Sequence, residues 1–145
     1  MINGEITIYS VVNRINFILP SFNEGKNIQH TLNLLSSINK KIIQSVIIVD
    51  DHSQNKIKIQ DLKKNKKIKN LTILRNKKNS GKAISLKNGL NHLNISKNDK
   101  VIFLDIDGQY SKSCIERLIK LLNEGNDYVI PTRKKRSVPL RRRIF

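Results

Sequence analysis

Short apolar runs alternate with segments whose apolar residues recur at helical spacing. "INFILP" (Ile15–Pro20) is mostly apolar and is stopped by proline, which predicts a buried strand. "EGKNIQHTLNLLSSI" follows, with Ile28, Leu32, Leu35 and Ile38 on one helical face. "SVIIVDD" is a second apolar run ending in acids, and "LTILRN" from Leu71 is a third. "GKAISLKNGLNHL" reads as a helix with Ala83, Leu86, Leu90 and Leu93 along one side. "KVIFLD" predicts a fourth strand. "SKSCIERLIKLLNEG" predicts a helix with a serine start and Gly125 as its stop, and "DYVIP" a fifth strand. Continuous apolar strands alternating with helices specify an α/β fold, a mostly parallel sheet covered on both faces. No internal repeat is present.

In an open parallel sheet, ligands bind beyond the carboxyl ends of the strands, near the switch in strand order. Those ends carry "PSFNE", "DDHS", "RNKKNSGK", "DIDGQ" and "PTR". Polar residues thus collect at the same end of every predicted strand, which points to a functional cleft. Singly the groups have plain structural uses. Asn23 and Glu24 suit a helix start, and Asp50, Asp51 and Ser53 suit a turn. "NSGKAIS" places Gly81 and Lys82 at a helix opening, as a phosphate loop would. It lacks the upstream glycine of a Walker A loop, and Ala83 stands where the magnesium-binding Ser/Thr would be. His30, His52 and His92 have no metal-ligand spacing.

The chain has 145 residues, the size of one domain, and a net charge of +17 from 28 Lys+Arg against 11 Asp+Glu. That excess suits an anionic partner: a phosphorylated ligand, an anionic membrane surface or nucleic acid. With 5% aromatic residues, no Trp and no nucleic-acid motif, a specific nucleic-acid partner is not expected, and a basic nucleic-acid-binding module is the alternative from another class. The basic stretch Asn55–Asn70 reads as a short helix and a solvated loop. Cys114 is the lone cysteine, which suits a reducing, cytoplasmic setting. No apolar run is long enough to span a bilayer, and "MINGEITIYSVVNR" lacks the apolar core of a signal peptide.

"FLDIDGQY" sets two carboxylates one residue apart at a strand end, where they repel unless a cation, water or a proton intervenes. One reading is similar to the haloacid-dehalogenase phosphatase signature, with Asp105 as nucleophile. That family needs a further acidic pair downstream, and Glu116, Glu124 and Asp127 do not form one. The other reading is a metal-binding Asp-x-Asp, and here the motif order agrees. The residues Pro20, Phe22, Asn23 and Glu24, then Val49, Asp50, Asp51 and Ser53, then Asn79, Gly81 and Lys82, then Asp105, Asp107 and Gln109, and finally Arg133, follow in series. From Ile15 to Arg133 this series resembles the family 2 glycosyltransferases of GT-A fold, most nearly the dolichol- or polyprenol-phosphate mannosyltransferase type.

The resemblance implies a Rossmann-like nucleotide-diphospho-sugar transferase domain over 15–133, truncated after the fifth strand. Residues 1–14 are then an arm or edge strand, and 134–145 a basic tail. It implies a metal-dependent transfer of sugar from a nucleotide diphosphate-sugar to a lipid phosphate or glycan acceptor. Pro20, Phe22, Glu24 and Asp51 would line the base and ribose pocket, Val49, Asp105 and Ile106 would also bind the donor, and Lys82 and Arg133 would face its phosphates. Asp105, Asp107 and Gln109 would hold Mg²⁺ or Mn²⁺, with Asp107 the catalytic residue. The tail's arginines would meet lipid phosphates at the cytoplasmic face of a membrane. The acceptor-side elements of that family fall outside this chain, which fits a donor-binding fragment without turnover, or a subunit completed by a partner or a second copy.

Overall fold

The computed structural model of the chain describes residues 14–38, 41–62, 68 and 70–131. Arg133, the tail from 134, the first thirteen residues and the lysine cluster at 63–67 lie outside the described residues. In chain order the elements are β1 (Ile15–Ser21), α1 (Gly25–Ser36), β2 (Ile43–Asp50), α2 (Ile59–Leu62), β3 (Leu71–Arg75), α3 (Lys82–His92), β4 (Lys100–Phe103) and α4 (Lys112–Asn123).

The four strands form one sheet in the order β3-β2-β1-β4, every pair parallel. The chain therefore steps outward from β1 to β3 and then returns across β1 to place β4 on its other side. The register sets Ser21 opposite Asp50, so β1 and β2 end level. A reversal of this kind opens a crevice beyond the ends of the two strands that flank it.

Alternation along β1 assigns its side chains to two cores. Ile15, Phe17 and Leu19 join Val46 and Ile48 under Ile28, Leu32 and Leu35 of α1 and Ile115, Ile119 and Leu122 of α4. Ile18 joins Ile47 and Val49 on the opposite face, under Leu86 and Leu90 of α3. Asn16 and Ser21 are the polar exceptions in β1, and the Asn16 side-chain oxygen accepts from the Ser45 hydroxyl at 2.6 Å.

Helix α4 starts as its sequence predicts: the Ser111 hydroxyl accepts from the Cys114 N–H, and Gly125 takes a positive φ of 95° just past its end. Helix α3 departs from its predicted face. Ala83 is exposed, and the residues fully buried are Ser85 and Gly89, with Leu86, Leu90 and Leu93 beside them. Gly89 explains the shift. A Cβ there would lie 2.5 Å from Ile18 Cγ2 and 3.2 Å from Val49 Cγ2, so α3 rests its backbone directly on the sheet.

The predicted fifth strand is corrected. Among the described residues, 127–131 pair with no strand, although they lie beside Val101, Ile102 and Phe103 of β4. Tyr128 and Ile130 are 81% and 74% exposed, while Val129 packs on the α1/α4 core. The apolar triplet reads as a buried strand, but two of its three side chains have no covering layer among the described residues. The fold class stands as predicted, with four strands in the described sheet.

Candidate functional site

Above the carboxyl ends of β1, β2 and β4 lies a cavity of about 280 Å³. Its walls are Pro20, Ser21, Phe22 and Glu24 from the end of β1, Asp51 after β2, Lys82 and Ser85 of α3, and Asp105, Ile106 and Asp107 after β4. Eight of these ten, all but Ser21 and Ser85, are predicted site residues, drawn together from positions up to 87 apart in sequence.

The β1 and β2 loops are tied to each other. Asn23 sits at φ 59°, a left-handed conformation that asparagine tolerates better than most residues. Its N–H donates to the Ser53 hydroxyl, and its side-chain oxygen accepts from the Gln54 N–H, both at 2.9 Å. Asn23 thus braces the loop after β2 rather than capping α1. Glu24 occupies the cap position without a capping bond and instead accepts from the Asn27 side chain. Asp50 is fully buried, accepts from the Ser53 N–H, and pairs with the Arg75 guanidinium, which also donates to the Ser53 carbonyl.

Asp51 is the most heavily engaged acid. Its Oδ1 accepts from the Asn76 amide at 2.7 Å and the Ser80 N–H at 2.9 Å, and its Oδ2 from the Gly81 N–H at 2.7 Å. Burial pushes this carboxyl up, but its hydrogen bonds, those from Asn76, Ser80 and Gly81 foremost, outweigh that, and the group lies below its ordinary 3.8. The geometry also explains why "NSGK" is no phosphate loop: two N–H groups at the start of α3 are already given to an internal carboxylate. Gly81, at φ 85°, permits the turn that aims them.

The β4 end is more open. The Lys82 ammonium lies 2.6 and 2.7 Å from the two oxygens of Asp105, both side chains partly exposed. Asp107 accepts the Gln109 N–H at 3.0 Å, which closes the turn around Gly108. Hard divalent cations take oxygen ligands, and Mg²⁺ commonly needs only one or two carboxylates besides water and substrate phosphates. Asp105 and Asp107 face one cavity and fit that requirement as a pair. No group of three or more His, Cys, Asp or Glu suited to a metal occurs among the described residues.

Two predicted members are not brought into the cavity. Gln109 is exposed and contributes its backbone N–H to the turn, outside the lining. Val49 is fully buried between β2 and α3, because alternation turns it toward Ile18 and Leu86. Sequence reading missed Ser21 and Ser85, which line the cavity, and Arg75 and Asn76, which support it. Ser21 is buried with no partner for its hydroxyl among the described residues. The available signal was a polar residue at a buried position of a strand or helix.

The model of the family described as glycosyl transferase family 2 matches residues 16–144. The chain belongs to that family. Among curated relatives of this glycosyltransferase-family chain, an uncharacterised protein of Methanocaldococcus jannaschii is 36% identical over 130 residues, covering 88% of this chain and 55% of the relative. The poly(ribitol-phosphate) beta-N-acetylglucosaminyltransferase TarP of Staphylococcus aureus is 33% identical over 133 residues, covering 87% and 39%. The chain thus spans about half the length, or less, of these relatives. The crystal structure of S. aureus TarS 1–349 superposes with a TM-score of 0.60 at 22% identity, over 82% of this chain and 38% of that one. It shares the fold, a parallel α/β sheet of GT-A type. Among the described residues no helix is long and apolar enough to cross a membrane.

Proposed function

We propose that this family 2 chain binds a nucleotide diphosphate-sugar in the cavity and serves its transfer to an acceptor. The observation that carries the reading is one cavity with two chemistries. Pro20, Phe22 and the anchored carboxylate of Asp51 make one wall, and Lys82, Asp105 and Asp107 make another. The first suits a nucleoside, with an apolar surface for the base and an oxygen acceptor for base or ribose. The second suits a diphosphate. TarS has been crystallised with UDP-GlcNAc and with UDP, which supports a donor of this class.

In the transfer, the bond between the anomeric carbon and the diphosphate oxygen breaks and its electron pair leaves with the diphosphate. A new bond forms to an acceptor oxygen. The developing negative charge is the quantity a site must stabilise. Lys82 supplies one cation for it. A Mg²⁺ or Mn²⁺ held by Asp105 and Asp107 would neutralise phosphate charge further. We assign the acceptor to the phosphate-bearing class. Both the polyprenyl phosphate of the mannosyltransferase type and the poly(ribitol-phosphate) in TarP's name belong to it. A polyprenyl phosphate offers an oxygen that is already anionic and needs no strong base, whereas poly(ribitol-phosphate), whose phosphates are diesters, would accept at a hydroxyl, which does. The basic tail and Arg133 are proposed to meet such phosphates.

A thermal-shift series with nucleoside diphosphates, with and without Mn²⁺, tests the reading, since a ligand of the native state raises its stability. A shift that needs both components is the expected result. Sugar transfer to an added polyprenyl phosphate or poly(ribitol-phosphate) tests turnover, and binding without turnover would assign the chain the donor-binding role alone. Salt-sensitive single-strand binding with no response to any nucleotide would overturn the proposal.

A further inference from the structure

We propose that Asn76, which does not line the cavity itself, is the residue that positions Asp51 for its ligand. The inference rests on the reading that Asp51 faces the donor nucleoside. Asn76 is buried at the end of β3 and uses its whole side chain. Its amide nitrogen donates to Asp51 Oδ1 at 2.7 Å and to the Ser85 hydroxyl at 3.0 Å, while its oxygen accepts from the Asn88 amide at 2.9 Å. That oxygen contact decides the orientation. A flipped Asn76 would turn a carbonyl toward a carboxylate and leave two amide nitrogens face to face.

The backbone of Asn76 is held as firmly. Its N–H donates to the Asp50 carbonyl at 2.9 Å, and its own carbonyl accepts from His52 Nδ1 at 3.2 Å, which places the ring proton on that nitrogen. Asn76 is therefore fastened to the residues on both sides of Asp51 and to Asp51 itself. Through Ser85, whose hydroxyl also donates to the Gly81 carbonyl, it reaches the turn whose N–H groups bind the same carboxylate. Asp51 keeps one orientation because Asn76 and the 80–81 turn grip it from two directions.

The charged or titratable groups on the elements that meet here are Glu24 after β1, Asp50 and His52 of β2 and its loop, Arg75 of β3, Lys82 of α3, and Asp105 and Asp107 after β4. Arg75 engages Asp50, Lys82 engages Asp105, and the Asn76 carbonyl engages His52. None of these groups has a hydrogen bond with the Asp51 side chain in the described contacts, so its protonation reflects its burial, which raises it, and its own donors, which together lower it further.

The test follows the Asp51 carboxyl by carbon-13 NMR against pH in Asn76→Ala and Asn88→Ala, with UDP affinity measured on the same samples. Asn88 is exposed, so its variant keeps the fold if the first does not. In Asn76→Ala the Asp51 midpoint is expected to move up and UDP to bind about tenfold more weakly, as for loss of a hydrogen bond to a charged group. Asn88→Ala is expected to move both in the same direction by less. An Asp51 midpoint unchanged in both variants would overturn the proposal. Movement of the midpoint in a chain that binds no UDP would support the positioning role and overturn the donor reading instead.

Discussion

At the β2 end of the cleft, Asp51 is buried and accepts three hydrogen bonds from Asn76, Ser80 and Gly81. At the β4 end, Asp105 is partly exposed and is met by the tip of one flexible lysine. Both are carboxylates at strand ends, yet one is built into the fold and the other is not. The difference follows from position in the sheet. Asp51 follows an inner strand under α3, where a buried charge needs protein partners. Asp105 follows β4, the edge strand of the described sheet, where water can serve. A ligand meets a preformed surface at one end and exchangeable charges at the other.

The sharpest way to break this contrast is to remove Asp51. Asp51→Ala deletes several hydrogen bonds to a charged group at once and strands the Asn76, Ser80 and Gly81 donors. A stability loss of about 3 kcal/mol is expected in chemical denaturation, together with loss of metal-free nucleoside binding. Retention of nucleoside affinity in this variant would remove Asp51 from the site. Arg75→Met comes next, since it leaves the buried Asp50 carboxylate without its cation. Breaking a buried pair costs about 3–5 kcal/mol, and the lower figure applies because the arginine keeps some solvent contact.

Asp107→Asn probes the open end. There the expected stability change is below about 0.5 kcal/mol, as for a surface site. Mn²⁺-dependent nucleotide affinity, read by calorimetry, is expected to fall by at least about tenfold, and an unchanged value would sink the metal assignment. The smallest effect is predicted for Lys82→Met. An exposed pair contributes about 0.2–1 kcal/mol, so freeing Asp105 should tighten Mn²⁺ binding without nucleotide by no more than about fivefold. Acid sharpens the same contrast. Asp51 titrates lower folded than unfolded, so its stabilising contribution is complete above about pH 3.8 and disappears as pH falls below that through the folded value. Asp51→Asn should flatten the stability curve in that window, as measured by urea midpoints at stepped pH.

How much of this was legible in the sequence depended on which interactions were local. Apolar runs gave the four strands and both covered faces, because burial on both sides leaves no polar alternation to confuse. "DYVIP" misled for the same reason in reverse. Three apolar residues say nothing of whether a neighbour exists to pair with them. The strand-end motif residues Asp51, Lys82, Asp105 and Asp107 are brought together around one cavity. Asn76, Arg75 and Ser85 stayed hidden because each owes its role to partners 9 to 25 residues away. Val49 was assigned through its motif, although strand alternation already turned it away from the ligand side.

Gly89 has a mechanical consequence. With its backbone seated against Ile18 and Val49, α3 has no clearance in which to rock on the sheet. Lys82 begins that helix, so its ammonium parts from Asp105 by side-chain rotation rather than by movement of the helix. Such rotation in an exposed side chain takes picoseconds to nanoseconds, whereas displacement of a packed helix takes microseconds or longer. The switch of Lys82 between an internal acid and an incoming phosphate is therefore a fast local event on a stationary frame. A side chain at position 89 would surrender that frame by lifting the helix.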